Sequence, residues 1–265
     1  MQIQENCYKN VWILSGTSDG PVLAKKLLKL NYVVFASVVT PRAGESYGEN
    51  SKLHIITGKL NNKNEIINFI KKNNIKFIVD ATHPFALIIS ENLNLACKET
   101  NTPLIRFERK SVLRESQNIE YISNLKGIKK IDLENKNLLL AIGSRFLDET
   151  ANYYLMCGAN VFTRVLPTNE SISKAFSSCI KDSNIAILEP SKTRGCIFEK
   201  KLCDFWRIDY VLCRESGSYS QRNWEMIISG SSMKLFLVKR PKLKFEHPYS
   251  FSQYDSLIDH VIKKY

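Results

Sequence analysis

The N-terminal part of the chain places a strand, a glycine turn, a helix and a second strand in immediate succession. Val11–Leu14 is a short apolar run that ends at the turn Ser15–Gly20. Apolar residues then recur at three- and four-residue spacing over Val22–Leu30, which indicates an amphipathic helix. Tyr32–Val39 follows as a second apolar run rich in β-branched residues. This order predicts a βαβ unit, because parallel neighbouring strands need a helical crossover.

The same alternation runs through the rest of the chain and predicts an α/β fold with parallel sheets. A polar stretch from Lys110 to Asn137 divides it into two halves. Strands are predicted in the first half at His54–Thr57, Lys76–Asp80 and Pro103–Phe107, and in the second at Asn137–Ile142, Asn160–Val165, Ile185–Leu188, Tyr210–Cys213 and Lys234–Lys239. We therefore predict two Rossmann-like domains, residues 1–116 with a cofactor site and residues 117–265 with cofactor and substrate contacts, and a ligand cleft between them.

The charge of the chain indicates an anionic partner. Lys and Arg number 38 against 26 Asp and Glu, a net charge of +12. Nucleic acid, a membrane surface or a polyanionic small molecule fits such a charge, and so does a compositional bias towards Lys. The cations are spread along the chain, with no block longer than pairs such as Lys71–Lys72. Nucleic-acid and membrane partners are therefore disfavoured, and the sequence leaves the oligomeric state open.

Cysteines and hydropathy indicate the compartment. The seven Cys include no C-x-x-C pair and no neighbouring His pair, so we expect buried thiols rather than a metal site or disulfides. No apolar run approaches the roughly 18 residues of a membrane span, and no leader pattern opens the chain. A cytoplasmic protein without a membrane partner is expected.

The glycine turn after the first strand is a candidate phosphate site. Gly16 lets the backbone approach a phosphate, and Thr17 and Ser18 add hydroxyls near the helix N-terminus. The alternative is that Ser18 or Asp19 only caps the helix.

The end of the second predicted strand bears on the choice of nucleotide. An acid there favours NAD, whereas a nearby Arg favours the 2′-phosphate of NADP. This chain has Arg42 and no acid before Glu45, which predicts NADPH, with NADH as the alternative. Arg42 could equally be an ordinary solvated loop cation.

Asp80–Ala86, with the sequence Asp-Ala-Thr-His-Pro-Phe-Ala, carries the strongest local signal. A buried strand runs into Thr82 and His83, and Pro84 then suits the first turn of a helix. Both polar residues lie where open sheets bind their ligands. We predict that they contact the ligand, and His83 is a candidate for proton transfer, with solvent or the substrate itself as the alternative source.

Several segments together resemble the precorrin-6A reductase family of cobalamin biosynthesis. They are Ile13–Asp19, Val79–Ala86, Arg106–Arg109, Ala141–Arg145, Arg164–Pro167, Ser216–Gly217 and Arg240–Pro241, and they occur in the family's order. Departures are Ser15 where the family commonly has Gly, Asp19 where it has Glu, and Arg222 as the only cation in the helix start after Gly217.

The resemblance implies an NAD(P)H-dependent reductase that saturates one carbon–carbon double bond of precorrin-6A or cobalt-precorrin-6A. It implies cofactor contacts at Gly16, Thr17, Ser18, Thr82, His83, Ser216 and Gly217, and substrate contacts at Gly143, Arg145 and Arg164. A precorrin carries carboxylates around its rim, and Arg and Lys are the side chains that bind carboxylates. We therefore add Lys192 and Lys200, which follow predicted strand ends, as substrate residues.

Two other functions compete with this prediction. One is another NAD(P)-dependent reductase of a small anionic substrate, but the short-chain type needs a Tyr four residues before a Lys, and none of the 11 Tyr has one. The other is a basic nucleic-acid-binding protein, which should show clustered cations among exposed aromatics. Neither pattern occurs in the sequence.

Overall fold

The computed structural model describes residues 9–60, 62–110, 117–128, 131–190 and 196–265. Within these residues the chain forms two compact units, each built on a six-stranded sheet. The first unit consists of the chain up to Lys110 together with Pro241–Tyr265. The second unit lies between these two segments and ends at Arg240. Every strand pair in both sheets is parallel.

The strands and helices of the described residues follow in chain order. The strands are β1 (Asn10–Ser15), β2 (Val33–Val38), β3 (Leu53–Thr57), β4 (Ile75–Ala81), β5 (Leu104–Phe107), β6 (Ile119–Ile122), β7 (Asn137–Ala141), β8 (Asn160–Val165), β9 (Ile185–Ile187), β10 (Tyr210–Arg214), β11 (Lys234–Val238) and β12 (Tyr249–Phe251). The helices are α1 (Asp19–Lys29), α2 (Pro41–Glu45), α3 (Lys63–Lys72), α4 (Leu87–Thr100), α5 (Leu147–Met156), α6 (Asn169–Phe176), α7 (Ile197–Phe205), α8 (Tyr219–Ser229) and α9 (Tyr254–Lys264).

The two sheets share the order of five strands and differ in the sixth, which comes last in the chain in the first sheet (β12) and first in the second (β6). The first runs β3-β2-β1-β4-β5-β12 and the second β9-β8-β7-β10-β11-β6. In each, the direction in which strands are added reverses at a central pair, β1 with β4 and β7 with β10. Ligands of open α/β sheets bind at such switch points, beyond the carboxyl ends of the strands. The prediction of an α/β fold with two parallel sheets is confirmed.

Burial on both faces explains why the central strands are continuously apolar. Val11 and Ile13 of β1 pack into one core cluster, while Trp12 and Leu14 pack into another on the opposite face. In the second unit, Leu139, Val211, Trp224 and Leu235 share a third cluster. None of the helices in the described ranges is long and apolar enough to cross a membrane.

The C-terminal segment was placed differently by the sequence analysis. We predicted that residues 117–265 form one domain, whereas the contacts attach Pro241–Tyr265 to the first unit. Strand β12 pairs with β5, and Leu257 and Val261 of α9 are fully buried in the first core. A three-residue strand after a Lys- and Pro-rich connector gives too short a pattern to recognise. The predicted boundary at residue 116 lies outside the described residues, and the cleft between the domains stays a prediction.

Removing the buried side chain of Leu257 should destabilise the first unit. Leu257→Ala leaves a cavity in a packed core, and such changes cost about 2–5 kcal/mol. Ile262→Ala on the same helix, where the side chain is 58% exposed, is the matched control and should change little. Urea unfolding measures both variants, and equal midpoints would contradict a structural role for α9.

Candidate functional site

The glycine turn lies at the switch point of the first sheet. Ser15, the last residue of β1, pairs with Ala81 of β4, so the turn after β1 adjoins the turn after β4. A Cβ atom added at Gly16 would meet nothing within 4 Å, which leaves the backbone there accessible to a ligand. At Gly20 the same atom would lie 2.6 Å from the Cβ of Ser15, so only glycine lets α1 pack this closely on β1.

Internal hydrogen bonds hold the hydroxyls of this turn. Thr17 Oγ1 donates to Asp19 Oδ2 at 2.9 Å and accepts from the Asp19 amide at 3.3 Å. Ser18 is the N-cap residue of α1, but its side chain makes no capping bond and instead accepts from Arg109 Nη2 at 2.9 Å. The capping role considered for Ser18 and Asp19 is therefore carried by the Thr17 hydroxyl.

Asp19 links the glycine turn to Arg109 and to the C-terminal helix α9 through hydrogen bonds. Its carboxylate accepts from Arg109 Nε at 3.0 Å and Nη2 at 2.7 Å, and from the hydroxyl of Tyr254 on α9. Burial raises the pKa of Tyr254 to about 12, and the hydrogen bond to Asp19 acts in the same direction. The Arg109 guanidinium and the Tyr254 hydroxyl thus balance the negative charge of the Asp19 carboxylate.

The turn after β4 is fixed by a buried charge network. Asp80 is fully buried and accepts from the Thr82 amide, the Thr82 hydroxyl and the Ser90 hydroxyl at 3.0, 2.7 and 2.7 Å. Arg106 lies 2.9 Å from Asp80 and 2.8 Å from Glu108. Burial alone would lower the pKa of Arg106, but the two carboxylates outweigh it and raise that pKa. Thr82 therefore turns inward to this network, and its contact with a cofactor stays a prediction.

His83 is half-buried beside the network. Its Nδ1 accepts from the Phe85 amide at 3.2 Å, so the proton of the neutral ring lies on Nε2. Nε2–H is therefore the hydrogen-bond donor of the neutral ring.

His247, between β11 and β12, is a second imidazole near Asp80 and Arg106. Neither ring nitrogen has a hydrogen-bond partner among the described residues, and both are buried. Burial lowers the pKa of His247, with the charge of Arg106 acting in the same direction and those of Asp80 and Glu108 opposing it. The sequence analysis did not identify this residue.

Arg42 follows β2 at the start of α2. Thr40 caps this short helix by accepting from the Ala43 amide at 3.4 Å. Arg42 is exposed one strand away from the glycine turn, because β2 pairs with β1. The contact of Arg42 with a 2′-phosphate stays a prediction.

The second sheet brings its own predicted residues to a switch point. Gly143 and Arg145 follow β7, and Ser216 and Gly217 follow the adjacent β10. Gly143 has φ +76° and Gly217 φ +66°, a backbone region that favours glycine. Arg145 is exposed and lies over the ring of Phe146.

Arg164 lies near the end of β8, beside β7, and is 7% exposed. Its Nη2 donates to Ser220 Oγ at 3.2 Å, whereas Nε is buried without a partner among the described residues. Burial lowers the pKa of Arg164, and Cys213 and Glu199 only partly oppose this. The structure thus holds a desolvated cation at the carboxyl edge of the second sheet.

Arg214, the last residue of β10, adds a further cation that the sequence analysis missed. Its guanidinium would be only 3.2 Å from a Cβ atom added at Gly143. Burial lowers the pKa of Arg214, and the nearby charge of Arg145 lowers it further. The signal was available, since Arg214 directly follows the predicted strand Tyr210–Cys213. We call Arg145, Arg164 and Arg214 the arginine cluster.

The amides predicted to bind the cofactor in the second unit are already bonded. Gln221 Oε1 accepts from the amides of Ser216 and Gly217 at 2.7 and 2.6 Å. Gln221 Nε2 in turn donates to Glu225 at 2.7 Å. A ligand at these amides would have to displace Gln221, so this cofactor contact stays a prediction.

Among the described residues, no contact is seen between Lys200 and the arginine cluster. Lys200 lies exposed on α7. Lys192 falls outside the described residues. Both remain predictions.

Comparison with known proteins places the chain in a family. The family model described as "Precorrin-6x reductase CbiJ/CobK" matches residues 10–262. The chain belongs to the precorrin-6x reductase family. A cobalt-precorrin-6A reductase from Methanocaldococcus jannaschii is 29% identical over 95% of this chain and 98% of that protein. Another from Synechocystis is 31% identical over 78% and 79% of the two chains.

A solved structure supports the fold independently. The structure of a CobK precorrin-6A reductase superposes with a TM-score of 0.78, at 17% identity, and covers 96% of both chains. This likeness confirms the architecture of two parallel sheets with flanking helices. Family membership implies a reduced nicotinamide nucleotide as the hydride donor. The first switch point fits such a group, because the open side of Gly16 lies beside the N-terminus of α1.

The half-buried imidazole of His247, whose two nitrogens are buried, should make the free energy of unfolding depend on pH. Its folded pKa lies below the ordinary value of 6.5, so the ring is neutral in both states well above that pH. As the pH falls through 6.5, the unfolded chain takes up a proton that the folded chain binds less readily, and the free energy of unfolding decreases. His247→Gln should therefore lose less stability than wild type between about pH 7.5 and pH 5.

Urea unfolding across that range measures the difference. His54→Gln, which replaces an exposed histidine of β3, is the control and should follow the wild-type pH profile. A His247→Gln profile parallel to wild type would show that the folded protein does not suppress protonation of His247.

Proposed function

We propose that this reductase family member saturates one carbon–carbon double bond of cobalt-precorrin-6A in corrin ring biosynthesis, with NADPH as donor. The observation that carries the proposal is the family match over residues 10–262, nearly the whole chain. Both sheets present charged and polar residues at their switch points, as a reductase with two ligands requires.

The cobalt-containing substrate is favoured by the pattern of relatives. Of the six named cobalt-precorrin-6A reductase, five cover 78–96% of this chain and one covers 38%. The two named precorrin-6A reductase match only 37% of it. The long alignments to cobalt-precorrin-6A reductases support the cobalt-containing substrate over the metal-free one.

The first unit supplies the cofactor contacts in this proposal. Gly16 would offer open backbone to a phosphate, Thr17 and Ser18 fix the turn, and Arg42 would bind the 2′-phosphate that distinguishes NADPH from NADH. Thr82 and His83 border the same switch point. Ser216 and Gly217 would contribute from the second unit after displacement of Gln221.

The nicotinamide supplies a hydride, and the chain must orient both reactants and provide a proton to the neighbouring carbon. His83 is the candidate for the proton step: its Nε2–H points the ring proton away from the Phe85 amide, and transfer of that proton requires Nδ1 to release the amide and take up a proton from solvent in exchange. Asp80, through Thr82, fixes the turn that carries His83. The cations of the second unit hold the acidic rim of the substrate.

Anaerobic incubation with cobalt-precorrin-6A tests the activity. NADPH absorbance should fall and the visible spectrum of the macrocycle should change in step. The metal-free substrate should react more slowly. Absence of NADPH oxidation with both substrates would overturn the proposal.

Replacing Arg42 tests the nucleotide preference. Arg42→Ala should raise the KM for NADPH about tenfold, because it removes a charge-assisted contact to the 2′-phosphate, and should leave the KM for NADH within about twofold. Lys76→Ala, an exposed cation at the amino end of β4, is the control. An unchanged ratio of the two KM values would remove Arg42 from the cofactor site.

Replacing His83 tests the proton step. His83→Asn keeps an acceptor for the Phe85 amide but removes Nε2, so kcat should fall about a hundredfold while NADPH binding is retained. Steady-state kinetics and nucleotide titration separate the two effects. A kcat equal to wild type would assign the proton to solvent or to the substrate.

A further inference from the structure

The first residue of the C-terminal helix α9 reaches the glycine turn of the first sheet. Tyr254 donates a hydrogen bond to Asp19 Oδ1 at 2.5 Å. The next residue, Asp255, forms an ion pair of 2.7 Å with Lys26, further along α1. The inner side of α9 packs into the first core. Helix α9 therefore packs against α1 and brings one hydroxyl to the glycine turn.

A stacking contact orients the ring of Tyr254. The ring lies on that of Phe107, the last residue of β5, with 4.7 Å between the ring centroids and 12° between the ring planes. Phe107 is only 2% exposed, so its own ring is held by the core. The hydroxyl of Tyr254 is thus directed at Asp19 before any ligand binds, and no ordering of this side chain is needed on binding.

Asp19 connects Tyr254 to both hydroxyl residues of the turn. Asp19 Oδ2 accepts from Thr17 Oγ1 at 2.9 Å, and Arg109, which pairs with Oδ1, also donates to Ser18 Oγ at 2.9 Å. Because Asp19 is only 5% exposed, hydrogen-bond donors rather than water must stabilise its charge. Tyr254 gives one of the three hydrogen bonds that Oδ1 accepts from the described residues.

The charge of Asp19 would oppose a phosphate at this turn. Gly16, whose backbone is open to a ligand, lies only three positions before Asp19. Like charges repel each other strongly where water is largely excluded. The dipole of a donating hydroxyl offsets part of the carboxylate charge. Tyr254 can therefore influence a phosphate at the turn through Asp19, without contacting the phosphate itself.

We propose that Tyr254 is a positioning residue for the nucleotide, which acts through Asp19 on the glycine turn and makes the cofactor site depend on the docking of α9. This inference rests on the proposed function, because it takes the glycine turn as the cofactor site. It is distinct from the role proposed for Arg42, which concerns the 2′-phosphate alone. The pyrophosphate is common to both nucleotides, so Tyr254 should affect NADPH and NADH alike.

Nucleotide titration of Tyr254→Phe tests this role. The substitution removes one hydroxyl and keeps the ring on Phe107, and the Kd values for NADPH and NADH should each rise about five- to tenfold. At saturating NADPH, kcat with cobalt-precorrin-6A should stay within about twofold, because Tyr254 does not touch the reacting atoms. Asp255→Asn, which breaks the exposed ion pair at the next position, is the matched control and should leave both Kd values unchanged.

A double variant separates this role from a purely structural one. In an Asp19→Asn background the carboxylate charge is absent, so the further change Tyr254→Phe should alter the nucleotide Kd by less than about twofold. Circular dichroism and urea unfolding establish that each variant is folded. A lower midpoint of unfolding for Tyr254→Phe with an unchanged Kd would overturn the proposal, since Tyr254 would then only stabilise the fold. An equal rise in Kd in both backgrounds would also overturn it.

The same titrations distinguish this inference from the proposed function. Nucleotide binding that depends on Tyr254, without turnover of cobalt-precorrin-6A or of the metal-free substrate, would refute the proposed function and leave the role of Tyr254 standing. Turnover together with nucleotide binding that is insensitive to Tyr254→Phe would do the reverse. A wild-type protein that binds neither nucleotide would overturn both.

Discussion

Two parallel strand pairings, β1 with β4 and β7 with β10, position the turns that carry most of the candidate residues. Each pairing aligns two carboxyl ends and sends the following helices to opposite faces of the sheet. The pairing of Ser15 with Ala81 places the turns that carry Gly16 and Thr82 next to each other, although 66 positions separate these two residues in the sequence. Gly143 and Arg214 meet in the same way in the second unit. Packing of the buried apolar strands thus holds the polar turns of both switch points in place.

The two units treat buried charge differently. In the first, Arg106 and Arg109 are matched by Asp80, Glu108 and Asp19, which fix the turns on both sides of the switch point. In the second, Arg164 lies in the interior without an ion pair to a described carboxylate. Paired charges give rigidity to a site, while a desolvated unpaired cation provides affinity for an anion.

Sequence patterns predicted what depends on local periodicity. Apolar runs that alternate with helical patterns predicted the central strands of both sheets. The Asp-Ala-Thr-His segment predicted the turn after β4. Contacts between distant segments were not predictable in this way. Thr82 bonds Asp80 inside the protein, Gln221 occupies the amides of Ser216 and Gly217, and Tyr254 reaches Asp19 from the C-terminal helix. Such bonds are set by three-dimensional packing, and isolated residues such as His247 leave no periodic signal.

The return of Pro241–Tyr265 to the first unit makes the second unit an insertion between β5 and β12. During synthesis, the whole second unit leaves the ribosome before the last strand and helix of the first. Until then β5 keeps one open edge, and the pocket that Leu257 and Val261 fill stays exposed to water. The first unit therefore completes its core after the second has been made, and an unfinished chain carries an aggregation-prone edge for the longest part of its assembly.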